Sequence, residues 1–294
     1  MDGLRLFAIE SDEIRPLPVL ESITSFDGLY DSFALGVYSA LCTFEHNKFL
    51  YLEAHIKRTV QSIKLLGWDY QLDECRLREA LHQVCTAYPF PNARVRFDVL
   101  AEAPTHLGTG SRLLIGLMPF AGVPDSYYEK GVQVDFAPTL QRSNPLAKTA
   151  AFAQARRQIP FNPDVYEYLM VDADGYILEG TSSNFFAVRD GFLYTAGTGV
   201  LEGITREIIL QQAEALGIPV VLQAIQKDEI GSLDEAALSS SSRALLPVVA
   251  IGDQEIGNGR PGSICQQILT AYNSFVSRTI QTATQDEILH KHYD

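Results

Sequence analysis

Residues 167–195 read EYLMVDADGYILEGTSSNFFAVRDGFLYT. Two strand–turn–strand designs follow one another here, the first around Asp174-Gly175 and the second around Asp190-Gly191. An Asp-Gly pair between apolar runs is a strong short-range hairpin signal, because glycine takes a positive φ freely and aspartate tolerates it. Downstream, EGITREIILQQAEALG (202–217) predicts a helix, with Ile204, Ile208, Ala215 and Leu216 near one face and Gly217 as its stop. A last helix is expected over about 263–276. Upstream, Val132, Val134 and Phe136 alternate as a strand. Before them lies PFAGVP (119–124), a Pro/Gly stretch that suggests a boundary between domains 1–121 and 125–294.

The N-terminal region mixes both periodicities. In FALGVYSALCTFEHNKFLYLEAHIKRTVQSIKLLG (33–67), an apolar run is interrupted by His46-Asn47-Lys48 and resumes at Phe49, which predicts a hairpin. Leu52, Ile56, Val60 and Ile63 then recur at helical spacing, and Gly67 supplies a stop. A second helix is expected over about 74–87. In ARVRFDVL (93–100) the period changes to two: Val95, Phe97 and Val99 face one way, and Arg94, Arg96 and Asp98 the other. Another strand is expected over 113–117.

The chain has 294 residues and 46% hydrophobic content, enough for one large or two mid-sized cores. A net charge of −13 repels nucleic acid and anionic lipid, so neither is an expected partner, although a few local cations can still serve one small anion. Cys42, Cys75, Cys85 and Cys265 form no C-x-x-C pair, which suggests neither a zinc knuckle nor a redox motif. The opening MDGLRLFAIESDEIRP has neither a basic n-region nor a long apolar run, and no stretch approaches membrane-spanning length. A cytoplasmic protein with free thiols is therefore expected.

Common catalytic signatures are absent. GTGSRL around Gly110 lacks the third glycine of a dinucleotide loop, and there is no Walker loop and no HExxH. His290 and His292 read as part of a polar tail, so no metal is expected. What remains is an ordered set of short pieces: HIKRT, LAKTAAF, LEGTSSNFF, LEGITRE and SSSSRALLPV. In this order and spacing, over residues 33–262, the chain resembles the class IV aminotransferases, the fold-type IV pyridoxal-phosphate enzymes. These include branched-chain and D-amino-acid aminotransferases and aminodeoxychorismate lyase. The resemblance implies an α+β enzyme of two domains, a small N-terminal α+β domain and a larger C-terminal barrel-like α/β domain carrying the cofactor lysine. It also implies pyridoxal 5′-phosphate in a cleft between the domains, and a homodimer whose subunits help wall each other's pockets.

The resemblance assigns Lys148 as the Schiff-base lysine. That chemistry needs a primary amine that can shed its proton, attack an aldehyde and later carry a proton. It assigns Glu179 to the pyridine nitrogen, where a negative charge favours a protonated, electron-withdrawing ring. Arg58 corresponds to the phosphate-binding arginine, whose forked donors suit phosphate oxygens. Ile204 and Thr205 open a helix whose N–H groups favour anions, and Ser241 matches a hydroxyl that contacts phosphate. Tyr38, Arg96, Arg142 and Arg243 remain as pocket candidates; each arginine could hold a substrate carboxylate or a structural salt bridge.

Several positions depart from the pattern. Ser39 and Cys42 stand where branched-chain enzymes commonly have Glu and Arg, and Ala151, Phe152 and Ala153 stand where relatives carry Asn or Tyr after the lysine. The expected reaction is transfer of an amino group from an amino acid or amine to a 2-oxo acid. The alternatives are a lyase of the aminodeoxychorismate type, which shares the need for Lys148, and a non-catalytic relative, against which the joint presence of Lys148, Glu179 and Arg58 argues.

Overall fold

The computed structural model describes residues 3–29, 33, 35–137, 140–142, 144–160 and 162–284. His290 and His292 lie outside them. The described residues form two compact units, one within 1–121, 147–151 and 278–294, the other within 122–146 and 152–277.

The first unit is built on an antiparallel seven-stranded sheet. Its strands run in the order Gln281–Thr282, Lys48–Phe49, Gly36–Phe44, Ala93–Leu100, Leu113–Pro119, Arg5–Ile9 and Ile14–Leu17. The helix Leu52–Leu65 buries Leu52, Ile56 and Ile63, the spacing the sequence predicts, and packs them with Val37, Leu41, Val95, Phe97 and Val99. It stops where the Gly67 N–H bonds the Lys64 carbonyl and the Trp68 N–H the Ile63 carbonyl, with Gly67 at φ 67°. That pair of bonds is a Schellman closure and needs the left-handed residue in the middle. The helix Glu74–Thr86 starts on Asp73, whose carboxylate accepts from the Arg76 N–H. On the opposite face of the sheet, Phe26, Leu29 and Phe33 cover Leu6, Leu100 and Leu114. With both faces covered, the polar row of Ala93–Leu100 does not reach solvent at Arg96 and Asp98, which are both buried.

Lys148 belongs to this unit. The cause is main-chain pairing: Thr149 bridges to Val37, and the Tyr38 N–H donates to the Lys148 carbonyl at 3.1 Å.

In the second unit the two Asp-Gly hairpins form as read. The strands Glu167–Val171 and Tyr176–Gly180 flank Gly175 (φ 90°), and Asn184–Arg189 and Phe192–Tyr194 flank Asp190 and Gly191, both at positive φ. These strands lie in a ten-stranded mixed sheet. Six of its strands form a ring: Asn184–Arg189, Glu235–Ser240, Ala244–Ile251, Val132–Phe136, Glu167–Val171, Tyr176–Gly180, and back to Asn184–Arg189. The bond that closes the ring is the pairing of Asn184 with Glu179. Val134, Leu169, Ile177, Leu238 and Leu246 belong to its apolar core. The helix Ile204–Ala215 ends at Gly217 (φ 72°), and the helix Ser263–Thr279 begins where its Ile264 and Cys265 N–H groups donate to the Glu235 carboxylate. Among the described residues, no helix is long and apolar enough to cross a membrane.

Candidate active site

In the first unit, alternation along Gly36–Phe44 decides which residues meet. Ser39 points to the helix Leu52–Leu65, where its hydroxyl lies 3.2 Å from both the His55 carbonyl and Thr59 Oγ1 and 3.4 Å from Arg58 Nη2. Tyr38, one residue earlier, lies on the other face with its cross-strand neighbours Asp98 and Arg96. The Arg96 guanidinium carbon stands 3.9 Å from the Tyr38 ring centroid, and Asp98 grips Arg96 with both oxygens (Nε–Oδ2 2.9 Å, Nη2–Oδ1 2.6 Å).

Lys148 enters through its backbone. Its N–H donates to Ser62 Oγ at 3.2 Å, and the same hydroxyl donates to the Arg58 carbonyl at 2.8 Å. One serine on the helix thus ties the segment of Lys148 to the turn that carries Arg58. Lys148 Nζ lies 4.9 Å from the Tyr38 ring centroid. His55 is buried beside these cations, and its Nδ1 has no hydrogen-bond partner. Burial, with the charges of Arg58 and Lys148 added, pushes its pKa well below the usual histidine value, so the ring is neutral.

In the second unit the ring closure places Asn184 directly across from Glu179, and Ser239 across from Asn184. Glu179 is 2% exposed. Its Oε1 accepts from Arg142 Nε at 2.7 Å, and its Oε2 accepts from Asn184 Nδ2 and the Leu201 N–H, each at 3.2 Å. Asn184 also donates to the Leu201 carbonyl at 2.8 Å, so one amide fixes both the carboxylate and the turn beside it. Arg206 holds the same turn through a bond from Nη2 to the Ala196 carbonyl at 2.8 Å.

Arg243 is engaged elsewhere. It pairs with the buried carboxylate of Glu167 and donates to Ser182 Oγ at 2.5 Å. Ser241 lies half-buried in the turn between the strands Glu235–Ser240 and Ala244–Ile251. Ile204 and Thr205 open their helix, with Thr205 buried and no side-chain cap on the helix start at Gly203. A Cβ at Gly203 would collide with Asn184 Oδ1.

The structure therefore groups Lys148, Tyr38, Arg96 and Arg58 in one unit and joins Glu179 to Arg142 in the other, while Arg243 stands with Glu167. Ser62, His55, Asp98, Asn184, Arg206 and Glu167 escape the sequence reading. For Asp98 a signal exists, since it lies two residues from Arg96 on one strand face. The residues fit a phosphorylated, ring-bearing group. Ser239 Oγ and Ser183 Oγ are buried without hydrogen-bond partners, and the uncapped helix start supplies anion-seeking N–H groups.

Comparison with known proteins agrees with this chemistry. A D-alanine aminotransferase from Bacillus licheniformis is 27% identical over 85% of this chain and 91% of its own length. A branched-chain-amino-acid aminotransferase from Pseudomonas aeruginosa is 36% identical over a shorter stretch, 38% of this chain and 36% of the relative. In fold, the chain is similar to a T.th. branched-chain amino acid aminotransferase solved with pyridoxamine 5′-phosphate, with TM-score 0.76 at 21% identity over 96% of this chain and 98% of that one. The family model for amino-transferase class IV matches residues 37–251, a span that holds Lys148, Glu179 and the whole closed ring of strands. The chain belongs to the class IV aminotransferases and is an enzyme that transfers amino groups.

Proposed function

We propose that this pyridoxal-phosphate-dependent aminotransferase bonds its cofactor through Lys148 and moves an amino group from an amino acid or amine to a 2-oxo acid. The observation that carries the reading is the anchoring of Lys148 by its main chain, through Ser62 and Tyr38, with its Nζ 4.9 Å from the centroid of the Tyr38 ring. When bound, the cofactor supplies an aldehyde that takes up amino groups and a ring that accepts electron density. Lys148 Nζ, in its neutral form, would hold the cofactor through its aldehyde group and would carry the proton that the donor's Cα gives up. Glu179 would present a fixed negative charge to the pyridine nitrogen and favour its proton. Arg58 would offer the phosphate a forked donor, and the N–H groups of Ile204 and Thr205 and the hydroxyl of Ser241 are the further groups suited to hold it. Tyr38 and Arg96 form an aromatic and cationic wall for substrate.

The relatives' names suggest D-alanine or a branched-chain amino acid as donor. We assign the enzyme to the cytoplasm as a homodimer. The four free cysteines accord with a reducing compartment, and the family resemblance supports the dimer.

The test is chemical. Purified protein should absorb in the visible, borohydride should fix the cofactor covalently, and peptide mapping should find it on Lys148. Donors of both hands should then be scored by their ability to discharge the visible band. A label on any other lysine, or no visible band with added pyridoxal phosphate, defeats the reading.

A further inference from the structure

We infer that Arg142 is a positioning residue for Glu179, fixing the direction and the effective charge of that carboxylate, and that it is not a receptor for substrate. The inference rests on the role for Glu179 given above. Arg142 Nε donates to Glu179 Oε1 at 2.7 Å, with the two side chains 7% and 2% exposed. The other carboxylate oxygen is held by Asn184 Nδ2 and the Leu201 N–H. Both oxygens are thus fixed from different directions, which sets the plane of the carboxylate. The guanidinium is fixed in turn: its central carbon lies 3.7 Å from the centroid of the Phe152 ring. Phe152 is one of the positions where the sequence departs from relatives bearing Asn or Tyr. Here its face carries the cation that faces Glu179.

The energetics favour this assignment over capture of a substrate carboxylate. To reach a substrate, Arg142 would have to leave a buried carboxylate uncompensated and give up its aromatic face. Electrostatically, its charge offsets part of the negative charge of Glu179. Arg206 is another cation whose charge acts with Glu179; it also feels Glu207 and Glu202, and its guanidinium is committed to the Ala196 carbonyl. Arg142, in direct contact, is the stronger influence, because Coulomb interaction falls with distance. Removing its charge makes the surroundings of Glu179 more negative and favours every protonated form close to it.

The experiment uses substrate-free holoenzyme and compares wild type with Arg142→Gln, Arg142→Lys and Phe152→Leu. The readouts are the pH titration of the visible band, the melting temperature of the apoprotein, and KM against single-turnover rate with the best donor. Arg142→Gln should move the titration midpoint upward by about one unit or more, as expected for loss of a charge in contact. Arg142→Lys should restore most of the wild-type midpoint. Phe152→Leu, which keeps the charge but removes its aromatic face, should move the midpoint the same way by less, and it reports even if the Gln variant does not fold. An unshifted midpoint with a raised KM would overturn the inference in favour of a substrate receptor. An unshifted midpoint with only a lower melting temperature would overturn it in favour of packing. Loss of the visible band from wild type, or its label away from Lys148, would instead bring down the reading of the whole site.

Discussion

Lys148 is tied down by its main chain, its N–H on Ser62 Oγ and its carbonyl on the Tyr38 N–H, whereas Glu179 is tied down by its side chain through Arg142, Asn184 and the Leu201 N–H. The difference matches the work proposed for each. A nucleophile that must bond, detach and carry a proton needs a fixed root and a tip able to swing. A carboxylate that acts only as a charge needs its oxygens fixed before substrate arrives, since a preorganised charge costs no reorganisation during the reaction. The backbone bonds that seat residue 148 therefore survive a change of its side chain, whereas the bonds that seat Glu179 do not.

The largest effect should come from Glu179→Ala, which strands the buried Arg142. Breaking such a pair from one side costs about 3–5 kcal/mol. Urea unfolding of the apoprotein measures it, and a loss below about 1 kcal/mol would mean that the carboxylate network is not what holds this region.

Next comes the neighbouring carboxylate. Burial pushes the Glu167 carboxyl up, but the Arg243 charge and the hydrogen bonds from the Ser182 N–H and Arg243 outweigh it, holding the group below its ordinary 4.5. A carboxyl whose folded pKa is depressed contributes stability that is complete above its unfolded value and is lost as pH falls through the folded one. Apoprotein stability should thus decline from about pH 4.5 downward. In Glu167→Gln the decline should be shallower, and the variant should be less stable by roughly 2 kcal/mol at neutral pH, the worth of a hydrogen bond to a charged group. Unfolding curves at a series of pH values decide this; parallel slopes for variant and wild type would remove Glu167 from the account.

The smallest effects belong to the lysine's anchor. Ser62→Ala removes one neutral acceptor and should cost about 1 kcal/mol. Lys148→Ala keeps both backbone bonds and should cost less than Glu179→Ala, while amino transfer falls by about 10²-fold or more through loss of the proton carrier. Denaturation beside single-turnover absorbance separates the two. A Lys148→Ala protein as unstable as Glu179→Ala would erase the contrast.

Much of this architecture is legible without coordinates. Gly67 and Gly217 close their helices at left-handed φ, and Asp190-Gly191 makes the turn that its dipeptide announces. Leu52, Ile56 and Ile63 line one buried face at the spacing seen in the sequence. Lys148, Glu179 and Arg58 are reached only through the resemblance of short motifs, since a lysine before a helix or a glutamate after a strand is by composition an ordinary surface residue. Asn184 goes unnoticed because nothing in NFFAVR marks it; its importance comes from lying opposite Glu179 where the ring of strands closes. Ser62 goes unnoticed because its hydroxyl serves residues four and 86 positions away.

What the sequence determines by itself is what residues within a turn or two impose on one another. Periodicity, left-handed glycines and capping side chains act through the backbone next to them, so strands, helices and hairpins can be read directly. The partners of the charged groups are a different matter. The sequence leaves Arg142 and Arg243 open as substrate receptors or structural cations, and only the tertiary structure sets Arg142 on Glu179, 37 residues away, and Arg243 on Glu167, 76 residues away. An ion pair across such distances exists because strand register and ring closure bring two buried charges together. A buried charge must then find a counter-charge, and which one it finds depends on the packing of the whole unit.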